Sequence, residues 1–151
     1  MKKSYINLAV IYLFATGAYA ADTLLEEVVT SVNRYEQKAF DTAASVNVIN
    51  KSQIQDQQAQ ISLSESMAQV PGLYALNRQN YAQDVMISSR GFGSNSAFGA
   101  RGIKIYVDGI PATISDGQGQ TSHIDLASAE KIEVLRGPFT SIYGNSAGGV
   151  I

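Results

Sequence analysis

From Pro71-Gly72 onwards, glycine and proline interrupt the chain so often that no long helix or strand has room to form. Gly91, Gly93, Gly99 and Gly102 come first, followed by Asp108-Gly109, Ile110-Pro111, Gly137-Pro138 and the pair Gly148-Gly149. Glycine permits positive φ and close backbone approach, and proline fixes φ and removes a main-chain donor, so each site ends or bends an element. The stretches between them alternate. Val85 and Ile87 alternate with Met86 and Ser88, Ile103, Ile105 and Val107 with Lys104, Tyr106 and Asp108, and Ile132 and Val134 mark a further strand. This period of two predicts short, half-buried strands. Asp116 to Ser122 reads as a polar loop and Asp125 to Ala129 as a helical turn.

Upstream, Val46 and Val48 predict a strand at 45–49. Ser52 has Gln55 three places on and Ser62 has Glu65 three places on, both capping-box spacings. They predict short helices at 53–58 and 63–69, the second with Leu63 and Met67 on one face and a stop at Pro71-Gly72. Short strands and helices without strict βαβ alternation predict a small α+β domain.

Residues 1–20 stand apart from this pattern. Lys2 and Lys3 precede an apolar run from Ile6 to Ala18, and Ala18-Tyr19-Ala20 supplies small residues before a cut ahead of Ala21. This is the pattern of a secretory signal peptide. The run is shorter than the roughly 20 residues that cross a bilayer as a helix. The 151-residue chain carries a net charge of −2, which becomes more negative without the two lysines, and no basic stripe suggests nucleic acid. It has no cysteine and one histidine, His123, so zinc and thiol chemistry find little support. An enzyme is not indicated either: Ser141 lacks a Gly-x-Ser-x-Gly setting, and one histidine leaves few bases. Residues 21–43 show no sustained period and read as an extended, mobile arm, in which Glu26 to Thr30 is β-prone.

Taken together, SLSESMAQVPGL, ISSRGFG, IKIYVDGIPA and IEVLRGPFTSIYGNSAGGVI resemble, in order and spacing, the plug domain of TonB-dependent outer-membrane receptors. The resemblance covers about residues 26–151. It implies a plug of short mixed strands and helices seated in a β-barrel of about 22 strands, which this chain lacks. It also implies localisation in the Gram-negative outer membrane and a function as an active transporter, most often for ferric siderophores. Haem, cobalamin, copper and oligosaccharide remain open as cargo, and an independent soluble periplasmic binding module is the alternative. The domain plan is signal peptide 1–20, periplasmic arm 21–43 and plug 44–151. GGVI reads as the start of a strand, and two residues alone are not expected to satisfy a ladder, so the plug is expected to break off within its last strand.

The resemblance further implies site residues. Glu26, Glu27, Val28, Val29 and Thr30 match the TonB box, which binds the periplasmic protein TonB by strand addition, a mode that takes its affinity from main-chain hydrogen bonds. Arg90 and Arg136 match plug arginines that pair with barrel glutamates; pairing inside the plug with Glu130 or Glu133 is the competing reading, and Arg101 is the least defined of the three arginines. Loops facing the outside would meet a metal-chelate ligand: Tyr74 to Gln83 with Arg78, Gln79, Asn80 and Tyr81, Phe92 to Ala100 with Phe92 and Asn95, and Ile114 to Ser122 with Gln118. The alternative is that these are merely solvated loops. No resident cofactor or metal is implied, and His123 is read as a surface or capping residue before a metal ligand.

Overall fold

The computed structural model describes residues 28–56, 58–77, 79–80 and 83–151. The leader at 1–20, Glu26, Glu27, Arg78 and Tyr81 lie outside the described residues. Two four-stranded sheets carry the fold. One runs Ser45–Asn50, Lys131–Arg136, Gly149–Val150, Ile103–Lys104, and the other Gln118–Gly119, Ala100–Arg101, Met86–Ser89, Leu73–Leu76. Two-stranded ribbons pair Val28–Val29 with Gln37–Lys38 and Tyr106–Val107 with Ile110–Pro111. The second ribbon turns at Asp108-Gly109, both with positive φ, as a tight two-residue hairpin needs. Short helices at Lys51–Gln55, Leu63–Met67 and Thr140–Tyr143 complete a mixed α+β domain.

The predicted alternation has a direct structural meaning on the Lys131–Arg136 strand. Val134 faces the main core with Ile49, Ile54, Met67, Ile87 and Ile103, while its neighbour Leu135 faces a second, smaller cluster with Val32 and Val150. Both faces of this strand are therefore covered. The longer strand expected across Ile103 to Val107 is broken at Ile105, whose amide donates to the Thr113 hydroxyl at 2.8 Å instead of to a strand neighbour. Ile105 is buried there, so the break serves the core.

One cap forms where the sequence places it and one does not. Glu65 reaches back to the amides of Ser62 at 3.1 Å, Ile61 at 3.3 Å and Gln60 at 3.0 Å, closing the predicted box. The first helix instead starts at Lys51, with Gln53 reaching back to the Asn50 amide at 2.9 Å, so Ser52 and Gln55 are inside the helix and not its cap. That start buries Ile54 in the main core, and the burial decides between two boxes of equal spacing.

The expectation that Gly149–Val150 cannot satisfy a ladder does not hold. Gly149 and Val150 pair antiparallel with Arg136 and Leu135 on one side and parallel with Ile103 and Lys104 on the other. The Ile151 amide then donates to Lys104, and its carbonyl accepts from Tyr106. The glycine pair makes this insertion possible. A Cβ on Gly149, at φ 125°, would stand 2.1 Å from the Leu135 carbonyl oxygen, and one on Gly148 would stand 2.8 Å from Phe92 Cβ.

Candidate functional site

Two of the three predicted ligand loops meet around a cavity of about 530 Å³ lined by Asn95, Ser96, Phe98, Arg101 and Gln118. Pairing of Ala100–Arg101 with Gln118–Gly119 brings the loops together, and Arg101 Nη2 donates to Gln118 Oε1 at 3.4 Å across the opening. The Ser96 hydroxyl donates to the Phe98 carbonyl at 2.5 Å and tightens the first loop. Asp84 fixes the second from outside: its Oδ1 accepts from the amides of Thr121 at 3.0 Å and Ser122 at 2.9 Å, while its carbonyl accepts from Gly99 at 3.4 Å. Asn95 and Gln118 thus share one cavity. Phe92 does not line it but stands half exposed beside Gly148, and Gln79 and Asn80 are exposed on the remaining loop, where the Gln79 amide donates to Asn77 at 2.8 Å.

Arg90 and Arg136 converge on Pro71-Gly72. The Arg90 amide donates to the Gly72 carbonyl at 3.0 Å, and Arg136 Nη1 donates to the Pro71 carbonyl at 2.6 Å. Arg136 Nε is buried without a partner among the described residues. The competing partner Glu133 is engaged elsewhere, in a 2.6 Å ion pair with Lys131. Arg136 Nε therefore has donor capacity that the described residues leave unmet.

The part of the arm that the structure describes is folded onto the domain, which corrects its reading as extended and mobile. Val29 is 1% exposed. Beyond it, the Glu133 carboxylate accepts from the Thr30 amide at 3.1 Å, the Ser31 amide at 2.8 Å and the Ser31 hydroxyl, and Tyr143 donates its hydroxyl to the Ser31 carbonyl. Lys131 Nζ adds contacts to the Val28 carbonyl at 3.4 Å and to Thr30 Oγ1 at 3.3 Å. Burial alone would raise the Glu133 carboxyl, but the Lys131 ammonium, the Ser31 hydroxyl and amide, and the Thr30 amide together outweigh it and hold the group below the usual glutamate range. Burial raises Tyr143, against the opposing charge of Arg34, whose guanidinium lies 5.5 Å from the ring centre.

Residues 38–150 match the family model of the TonB-dependent receptor plug domain. The chain belongs to this family. Among curated relatives, the vitamin B12 transporter BtuB of Vibrio vulnificus is 32% identical over 154 residues, covering 97% of this chain and 24% of the relative. BtuB of Vibrio cholerae is likewise 32% identical over 160 residues, covering 100% of this chain and 24% of its own length. Among solved structures, the ferric yersiniabactin uptake receptor FyuA of Yersinia pestis aligns with a TM-score of 0.55 at 29% identity over 71% of this chain and 16% of that one. The siderophore receptor PirA of Acinetobacter baumannii aligns at 0.51 and 28% over 70% and 16%. The plug thus spans about a quarter of the length of the curated relatives it matches. These relatives are named as transporters and receptors, not as enzymes.

Three residues of the plug escaped sequence reasoning in the roles they hold. Asp84 carries the loop junction, and its signal was an acid placed just before an alternating strand. Glu133 and Tyr143 hold the arm, whereas the sequence offers Glu133 only as a partner for arginine. Exposed His123 stands beside a larger groove that Asp125 also lines, and no group of three or more metal-binding side chains occurs among the described residues.

Proposed function

We propose that this plug gates the lumen of an outer-membrane β-barrel and couples uptake of a bulky metal chelate, first a ferric siderophore, to TonB. The cavity between Phe92–Ala100 and Ile114–Ser122 receives the ligand from outside. Arg101 supplies a positive charge that attracts an anionic chelate, while Asn95 and Gln118 offer hydrogen bonds. Arg136, with Arg90 beside it, pairs with carboxylates on the barrel wall through its planar fork. Glu26 to Thr30 adds as a strand to TonB, and the work done through that strand opens a path; no covalent step is involved. The leader at 1–20 directs export. No helix among the described residues is long and apolar enough to cross a membrane.

The observation that carries this reading is the meeting of Arg101 and Gln118 at one cavity on a family plug. A second cargo, a corrinoid, is supported by the BtuB relatives, whose matches cover nearly all of this chain. Uptake of radiolabelled ferric siderophores and of cobalamin by cells expressing the receptor that carries this plug separates the two. Iron uptake that depends on Arg101 supports the first; cobalamin uptake alone overturns it in favour of the second.

A further inference from the structure

Among the described residues, the main-chain groups of the segment proposed for strand addition are engaged from Val28 to Ser31. Val28 and Val29 pair with Lys38 and Gln37, and the next two amides, Thr30 and Ser31, both end on Glu133. Tyr143 grips the same segment from its carbonyl side at Ser31, and Arg34, over the Tyr143 ring, donates to the Ile142 carbonyl at 3.2 Å. Glu133 is well placed for this work because it sits on the strand Lys131–Arg136, paired with Val48 of Ser45–Asn50 at its own position. A charged acceptor that gathers several donors holds its segment far more firmly than scattered neutral bonds do.

We propose that Glu133 is the positioning residue of the coupling step. It clamps Thr30 and Ser31 to the plug, with Tyr143 as the second jaw, while Gln37–Lys38 fills the edge that an incoming strand would take. The segment becomes available to a partner only when this clamp opens. The inference rests on the reading of Glu26 to Thr30 as the TonB-binding segment, but the clamp can be tested without TonB.

The absence of cysteine provides the probe. Val29→Cys, introduced into the full chain, places one thiol in the buried part of the segment, and Ile87→Cys, in the main core, reports global opening. Maleimide labelling of Val29→Cys is expected to accelerate about tenfold or more with Glu133→Gln, because hydrogen bonds to a charged acceptor are weakened or lost. Tyr143→Phe, which leaves the sheet untouched, should give a smaller rise. Ile87→Cys should stay protected in both. Equal labelling of Val29→Cys in the parent and both variants overturns the clamp, as does a parallel rise at Ile87→Cys in both variants. Capture by the isolated periplasmic domain of TonB is measured alongside. Faster labelling without any capture leaves the clamp standing and removes the TonB-binding reading instead.

Discussion

At the loop cavity, the side chains of Arg101 and Gln118 meet through one long hydrogen bond of 3.4 Å, whereas at the arm a single carboxylate takes two amides, a hydroxyl and an ammonium. The cavity is lined by loop side chains, most of them exposed, and its shape depends on turns and on Asp84. The clamp is built on a sheet strand covered on both faces. The difference suits the two tasks proposed for these regions. A surface that must adapt to a ligand gains from low local stability, while a segment that must stay put and then leave as a unit needs its bonds concentrated on one group.

The largest break in that comparison should come from two glycine substitutions. Gly149→Ala forces a Cβ into the Leu135 carbonyl and should cost about 3 kcal/mol or more in urea unfolding. Gly117→Ala, on the loop side, meets no atom within 4 Å and should cost only about 1 kcal/mol for its positive φ. Similar losses in the two variants would show that loop and sheet are not held differently.

Acid should separate the regions next. The Glu133 carboxyl is depressed in the folded state, so its contribution is fully present above the unfolded value of about 4.3. It is lost as pH falls through the lower folded value. Amide signals of Thr30 and Ser31 in NMR should hold from neutral pH to below the ordinary glutamate range and then shift together. A transition near neutral pH would contradict the clamp's charge state.

Ligand binding gives smaller effects. Arg101→Ala should weaken binding of an anionic ferric siderophore to the intact receptor about tenfold, the loss of one charge-assisted contact, with stability unchanged because the side chain is exposed. Gln118→Ala should cost only about threefold, as a neutral hydrogen bond does. Isothermal titration measures both, and a larger loss from Gln118 would reverse their assigned roles. Val28→Pro serves as the control across the two regions: TonB capture should vanish while ligand affinity stays, since proline removes a main-chain donor from the segment alone.

What could be read from the sequence was local. The Ser62–Glu65 cap, the Asp108-Gly109 hairpin and the alternation through Val134 each need only neighbours within a few positions. The Asn50–Gln53 cap was hidden because Ser52–Gln55 has the same spacing, and only burial of Ile54 selects between them. The arm reads as mobile because its own ribbon, Val28–Val29 with Gln37–Lys38, is only two residues long and has no sequence period to mark it. Its partners Lys131, Glu133 and Tyr143 lie about a hundred positions away, and no pattern within the arm announces them. Asn95 and Gln118 were legible as loop residues, but that they face one cavity depends on the pairing of Arg101 with Gln118, which is again distant in sequence.

The insertion of Gly149–Val150 between Lys131–Arg136 and Ile103–Lys104 also sets an order of assembly. The hairpin at Asp108-Gly109 can close within microseconds of the chain becoming free. The four-stranded sheet cannot, because its two halves have no direct pairing and share only this two-residue strand. Its closure joins Gly149 to Ile103, far apart in sequence, so it is expected to follow the hairpin. Until it closes, Leu135 and the strand edges beside it stay open to other chains.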